Sequence, residues 1–201
     1  MLKIGLTGGI ASGKSQVCRY FTELDIHIID SDKVARELFE PKSPHLAKLK
    51  VHFGDSIFLS NGELDRKALG KMVFSDKQQL EWLNDFTHPL INTEMKRQLA
   101  NYRSNYIILD IPLLINQQGA IPKHLKPLID RVLVINTELE TQIERIVNRD
   151  GITRKEALNI INSQSTIQQK LLLADDIIDN NGSLAHLKQQ VHLLHEQYNN
   201  L

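Results

Sequence analysis

The chain has 201 residues, with 24 Lys plus Arg against 24 Asp plus Glu, a formal net charge of zero and 41% hydrophobic residues. That length and apolar fraction allow one substantial core and a subdomain. The balanced charge argues against a dedicated nucleic-acid binder, no stretch approaches the roughly 20 apolar residues of a membrane span, and the single cysteine, Cys18, excludes an internal disulfide.

A first strand is expected at Leu2–Thr7, and it runs into "GLTGGIASGKSQ", Gly5 to Gln16. "VCRYFTEL" then places Val17, Tyr20, Phe21 and Leu24 at helical spacing, so a helix is expected over Lys14–Leu24. Gly8-x-x-x-x-Gly13-Lys14-Ser15 matches the phosphate-binding loop G-x-x-x-x-G-K-[ST]. A triphosphate needs many N–H donors close at hand, and side chains would hold the backbone away from it. Glycines also adopt the positive φ that turns successive N–H groups inward. The helix start adds free N–H groups and its positive dipole end. Gly8, Gly9, Ala11, Ser12, Gly13, Lys14, Ser15 and Gln16 are therefore candidates to bind ATP. Lys14 is placed to reach the β- and γ-phosphates, and the Ser15 hydroxyl to ligate Mg²⁺. Cys18, on the helix after the loop, is expected to be a small packed side chain. A strand so close to Met1 leaves no room for a signal peptide, and the expected location is cytoplasmic.

The second strand is expected at Ile26–Asp30, followed by "DSDKVAREL". In a parallel α/β sheet the carboxyl ends of the strands face the ligand. Asp30 and Asp32 there suit two tasks, holding a metal shell and accepting a proton from an attacking hydroxyl. Equally, Ser31 or Asp32 can serve only to cap the helix "KVARELF". Arg36, one turn later, suits a partner for Asp32 or for a substrate phosphate.

Residues 31–105 separate the second strand from the third, far more than one crossover helix requires. "DRKALGKMVF", "DKQQLEWLNDF" and "HPLINTEMKRQLANYR" read as three helices, with His88-Pro89 opening the last. The interval is expected to be a helical insertion that takes the second substrate, with His88 equally suited to packing or capping and to contacting that substrate.

Strands are expected at Tyr106–Ile111, Arg131–Ile135 and Asp176–Asp179, and helices over Glu138–Arg149 and Leu184–Tyr198. Asp110 ends the apolar run of "YIILDIPLL", as a carboxylate near Mg²⁺ would. "IERIVNRDGITRKEA" places Arg145 and Arg149 on one helix face, with Thr153 capping a further helix ahead of Arg154. Arginine supplies planar charged forks for phosphoryl oxygens, and a hairpin of this kind suits a lid that excludes water. His192 and His195 lack zinc-site spacing and are expected at the surface. The fold class is α/β, a P-loop core with a parallel five-stranded sheet flanked by helices. Neither N-K-x-D nor a D-x-x-G after the third strand is present, which removes a GTPase switch.

"GLTGGIASGKS", "DSDKVAREL", "THPLI", "LDIPLL", "QIERIVNRDGITRKEA" and "DDIIDNNGS" occur in the order seen in dephospho-CoA kinases, and the resemblance runs from Ile4 to about Leu187. It implies a kinase that uses ATP and Mg²⁺ to phosphorylate the ribose 3′-hydroxyl of dephospho-coenzyme A, the last step of coenzyme A synthesis. Another small-molecule P-loop kinase, with a nucleoside monophosphate or shikimate-like acceptor, is the alternative. The implied architecture resembles the nucleoside-monophosphate kinases. Residues 1–30 and 105–201 form the nucleotide core with a lid at about 138–165, and residues 31–104 form the substrate domain. The expected protein is a monomer or small homo-oligomer. Residue by residue, Asp32 matches the proposed base, Ala11 to Gln16 the ATP loop and Arg149 a lid arginine at the phosphates. Asn180 lies where adenine is held, and His88 in the helical-domain signature. Two positions depart from the pattern. Ala11 stands where glycine is usual, with a small effect expected provided its φ is negative. Asn116 stands where a glutamate is usual, keeping a hydrogen-bonding end while losing the charge that would orient substrate.

Overall fold

The computed structural model describes residues 1–201 and divides into two compact units, Met1–Asp30 with Asn101–Leu201, and Ser31–Ala100. The first is an α/β unit. Its strands are β1 (Leu2–Gly8), β2 (Ile28–Asp30), β3 (Tyr106–Asp110), β4 (Arg131–Asn136) and β5 (Asp176–Asp179). They form one parallel sheet in the order β2-β3-β1-β4-β5. The central strands are apolar on both faces, as a sheet covered by helices requires. On one face Ile4, Leu6, Tyr106, Ile108, Leu133, Ile135 and Ile178 meet Val17 and Phe21 of α1 (Lys14–Glu23) and Leu187 and Val191 of the last helix, Leu184–Asn199. On the other face side chains close in on β1. A Cβ at Gly5 would lie 2.8 Å from Leu114 and 2.9 Å from Ile129, so only glycine fits there. A parallel sheet puts every strand's carboxyl end on one side. Gly8, Asp30, Asp110, Asn136 and Asp179 all end there.

The second unit holds α2 (Ser31–Glu37), α3 (His45–Phe53), α4 (Arg66–Ser75) and α5 (Lys77–Ala100). Its core is Phe39, Leu49, Phe53, Ile57, Leu69 and Val73, with Trp82 and Phe86 packed against them. His52 stacks on Trp82 at 3.6 Å and 6°. Asp65 caps α4, accepting from the Lys67 and Ala68 amides.

Two of the three helices expected in this interval are one. α5 runs through Pro89, so His88-Pro89 sits mid-helix and opens nothing. Proline cannot donate to the carbonyl one turn earlier, a cost usually sufficient to break a helix. Here Leu83, Phe86 and Leu90 pack on the core around that point, and Met95 and Leu99 are buried further along. Packing of an apolar face outweighs the local penalty. The Thr93 hydroxyl also donates to the Pro89 carbonyl at 2.8 Å.

Back in the first unit come α6 (Leu139–Asp150), α7 (Arg154–Asn162), α8 (Ile167–Leu171) and α9 (Leu184–Asn199). Thr153 caps α7 in a reciprocal box with Glu156, as its position predicts. His195 is not an ordinary surface residue. Its Nδ1 meets the Tyr106 hydroxyl at 2.7 Å, because the helix turns that face onto the sheet.

Candidate functional site

The loop between β1 and α1 is held from behind by its carbonyl oxygens. Arg145 Nη1 donates to the Ala11 carbonyl at 3.2 Å. The Ser12 carbonyl accepts from Thr137 Oγ1 at 3.0 Å and from Asn180 Nδ2 at 2.7 Å. The Ser12 amide is taken within the loop by the Gly9 carbonyl at 3.1 Å, while the Ser12 carbonyl, fixed outward, leaves the Gly13 N–H on the opposite side of its peptide for an anion. Lys14 and Ser15 open α1, where no earlier helical carbonyl can take their amides. The Ser15 side chain is exposed. Ser12 Oγ and Gln16 Nε2 are buried without a partner, and a buried polar atom left unsatisfied is costly unless a ligand completes it.

The loop glycines are needed for space as much as for conformation. A Cβ at Gly8 would lie 2.5 Å from Ser12 Oγ, one at Gly9 would strike Gln142 Oε1, and one at Gly13 would strike Asn180 Nδ2. Gly13 has φ +89°. Ala11 has φ +57°, so the condition for a harmless methyl there is not met. A left-handed alanine costs about 1–2 kcal/mol against the right-handed form. The pinned Ala11 and Ser12 carbonyls hold it from its C-terminal side.

Lys14 Nζ lies 2.5 Å from Asp110 Oδ1. Asp110 is 7% exposed. Burial raises its carboxyl above the ordinary value; Lys14 pulls the other way and Asp30 adds to the rise. Asp30 and Asp110 are register partners at the ends of β2 and β3. Cys18 Sγ sits 3.6 Å from Asp110 Oδ2. Burial, then the Asp110 charge, pushes the thiol well up, so it stays protonated and inert as its packed position implies.

The arginines expected in a lid part company. Arg145 spans the loop and the β5 turn, reaching the Ala11 carbonyl and, at 3.4 Å, that of Asn180. Arg149 is exposed and pairs with neighbouring Asp150 at 2.7 and 2.8 Å, which lowers the Asp150 carboxyl. Arg154 makes a two-pronged pair with Glu140, at 2.7 Å twice, tying α7 to α6. Asn180, 5% exposed, gives its amide to the loop. Asn116 shapes a turn: its Oδ1 accepts from the Ala120 amide at 3.0 Å. Asp32 and Arg36 lie on α2 in the helical unit, with Asp32 in the first turn rather than in the capping position. Arg36 Nε donates to the Asp32 backbone carbonyl at 3.2 Å, and the Arg36 carbonyl accepts from Arg66 at 2.8 Å. His88 is half-buried on α5. Sequence reasoning missed Thr137, Gln142 and Gln164, polar residues whose loop contacts no spacing announces.

A metal site built from the protein alone is absent: no three His, Cys, Asp or Glu side chains come together to hold one. Ser15 and Asp110 offer hard oxygen donors, which suits Mg²⁺ arriving with phosphates and water as its remaining ligands.

The dephospho-CoA kinase (CoaE) family model matches residues 2–186. The dephospho-CoA kinase of Shewanella oneidensis is 44% identical over 195 residues, covering 97% of this chain and 92% of the relative. The solved dephospho-CoA kinase from Campylobacter jejuni superposes with a TM-score of 0.71 at 29% identity, covering 98% and 97% of the two chains. Shikimate kinase from Bacteroides thetaiotaomicron, at 13% identity and a TM-score of 0.52 over 98% and 97%, shares the fold alone.

Proposed function

The chain belongs to the dephospho-CoA kinase family, and from that premise we propose how its own residues carry the reaction. The activity is transfer of the γ-phosphoryl group of ATP to the ribose 3′-hydroxyl of dephospho-coenzyme A, which completes coenzyme A. The observation that carries the residue assignment is the loop Gly8–Gln16, with its carbonyls bound outward and Lys14 at its end.

Gly8, Gly9, Ala11, Ser12, Gly13, Ser15 and Gln16 cradle the phosphates of ATP. Lys14 turns from Asp110 to the β- and γ-oxygens. Arg145 and Asn180 hold the loop, and adenine lies beside the Asn180 turn. Magnesium bound with ATP neutralises charge on the β- and γ-phosphates, and Ser15 and Asp110 are the residues that would hold it. Asp32 accepts the 3′-hydroxyl proton as that oxygen bonds to the γ-phosphorus and the bond to the ADP oxygen breaks. Arg149 leaves Asp150, an exposed pair of the kind that holds little energy, and binds the equatorial oxygens. Arg36, His88 and Asn116 contact the acceptor. Residues 31–104 form the acceptor domain and residues 138–165 the lid. We place the protein in the cytoplasm, as a monomer or small homo-oligomer; no helix is long and apolar enough to cross a membrane.

An ADP-release assay over a panel of acceptors tests this reading. Dephospho-coenzyme A is expected to stimulate release and to gain phosphate on the ribose 3′-oxygen. Stimulation by shikimate or a nucleoside monophosphate, with none by dephospho-coenzyme A, overturns it.

A further inference from the structure

The outer rim of the phosphate loop is gripped by a residue that none of these roles uses. The Ile10 amide donates to Gln164 Oε1 at 3.1 Å. Gln164 lies in the short linker between α7 and α8, and that linker is itself fixed. Ser165 Oγ donates to the Ile115 carbonyl at 3.0 Å, Gln117 Nε2 to the Ser163 carbonyl, and the buried Lys170 Nζ to the Ser165 carbonyl. Ile10 and Ala11 also pack against Ile143, Ile146 and Ala157 of α6 and α7.

Together with the Arg145 bond to the Ala11 carbonyl, these contacts bracket Ile10 and Ala11. Ala11 holds a left-handed φ that alanine disfavours. The Gly9–Ile10 peptide, one residue ahead of it, is held through the Ile10 amide by Gln164, and the Ala11 carbonyl is held by Arg145. A glycine would stay in that conformation unaided. An alanine relaxes toward negative φ unless both sides are held, and relaxation would rotate the following amides away from the phosphates. We propose that Gln164 is a positioning residue for ATP, holding the phosphate loop in its binding conformation because Ala11 cannot hold it alone. The proposal rests on the reading of Gly8–Gln16 as the ATP loop.

The test is ATP affinity by calorimetry for the wild type, Gln164→Met, Ala11→Gly and the double variant. Methionine keeps the bulk and removes the acceptor. Loss of one hydrogen bond from the loop should weaken ATP binding about 3- to 10-fold. In the Ala11→Gly background the same change should cost less than about twofold, by the additivity expected once the coupling is gone. Dephospho-coenzyme A affinity should not move. An unchanged ATP affinity in Gln164→Met overturns the proposal, as does an equal loss in both backgrounds, which would mark a merely structural role. Lys14→Ala serves as reference. If it also binds ATP normally, the loop reading falls; if it loses ATP while Gln164→Met does not, only the present proposal falls. Should Gln164→Met fail to fold, amide exchange in the wild type decides. Ile10 should be protected well beyond Ser15 at the helix start, and equal exchange of the two contradicts the proposal.

Discussion

The phosphate loop and the long helix α5 answer differently to their local sequence. In the loop, single residues are required where the backbone needs them. Gly8, Gly9 and Gly13 each have a neighbour where a Cβ would go, and the carbonyls have named donors. In α5 the local sequence contains a helix breaker, and the helix continues because its apolar side chains are packed. Where function needs backbone N–H groups in a fixed pattern, local chemistry dominates. Where it needs only a surface, packing does, and many sequences serve.

Variants sharpen that contrast, from turnover losses of several orders of magnitude down to a shift of a few degrees. Asp32→Asn removes the proposed proton acceptor and should lower turnover by roughly 10²–10⁴; turnover at saturation near that of the wild type would make Asp32 a helix-start residue only. Lys14→Ala leaves the loop without its cation and should cost at least about 10²–10³ in turnover, the scale of a lost preorganised donor. A near-normal rate in the purified variant would break the loop assignment. Arg149→Lys keeps charge and loses the fork. It should lower turnover by roughly tenfold with little change in ATP affinity, whereas Arg154→Lys, whose partner is Glu140, should change the rate far less. Equal, small effects at both would mean a solvated basic hairpin. Ala11→Gly relieves a left-handed alanine but loosens the unfolded chain by about 0.4–1 kcal/mol. The balance should raise the melting temperature by no more than about 4 °C; a clear drop would show that Ala11 carries no strain.

The sequence made the sheet and the loop legible for physical reasons. Five short apolar runs alternating with helical stretches read as parallel strands, each found within a residue or two of its expected bounds, and β5 falls on its expected residues. The spacing from Gly8 to Ser15 placed α1 at Lys14. α3 and α8 went unread, since nine and five residues give too few turns to show a period. α5 was divided because proline is a local signal and packing is not. Ala11 was misjudged because its φ is set by Arg145 and Gln164, both more than a hundred residues away. Asn180 was expected beside adenine, and its bond to the Ser12 carbonyl was not foreseen because the two residues are far apart in the chain.

The central claim is that the loop holds ATP while Asp32 acts on the acceptor. Equilibrium ATP titration of Asp32→Asn beside Lys14→Ala tests it most directly. The account predicts wild-type ATP affinity in Asp32→Asn and weakened binding in Lys14→Ala. Lost ATP affinity in Asp32→Asn, with turnover intact at saturation, would contradict it and move Asp32 to the nucleotide.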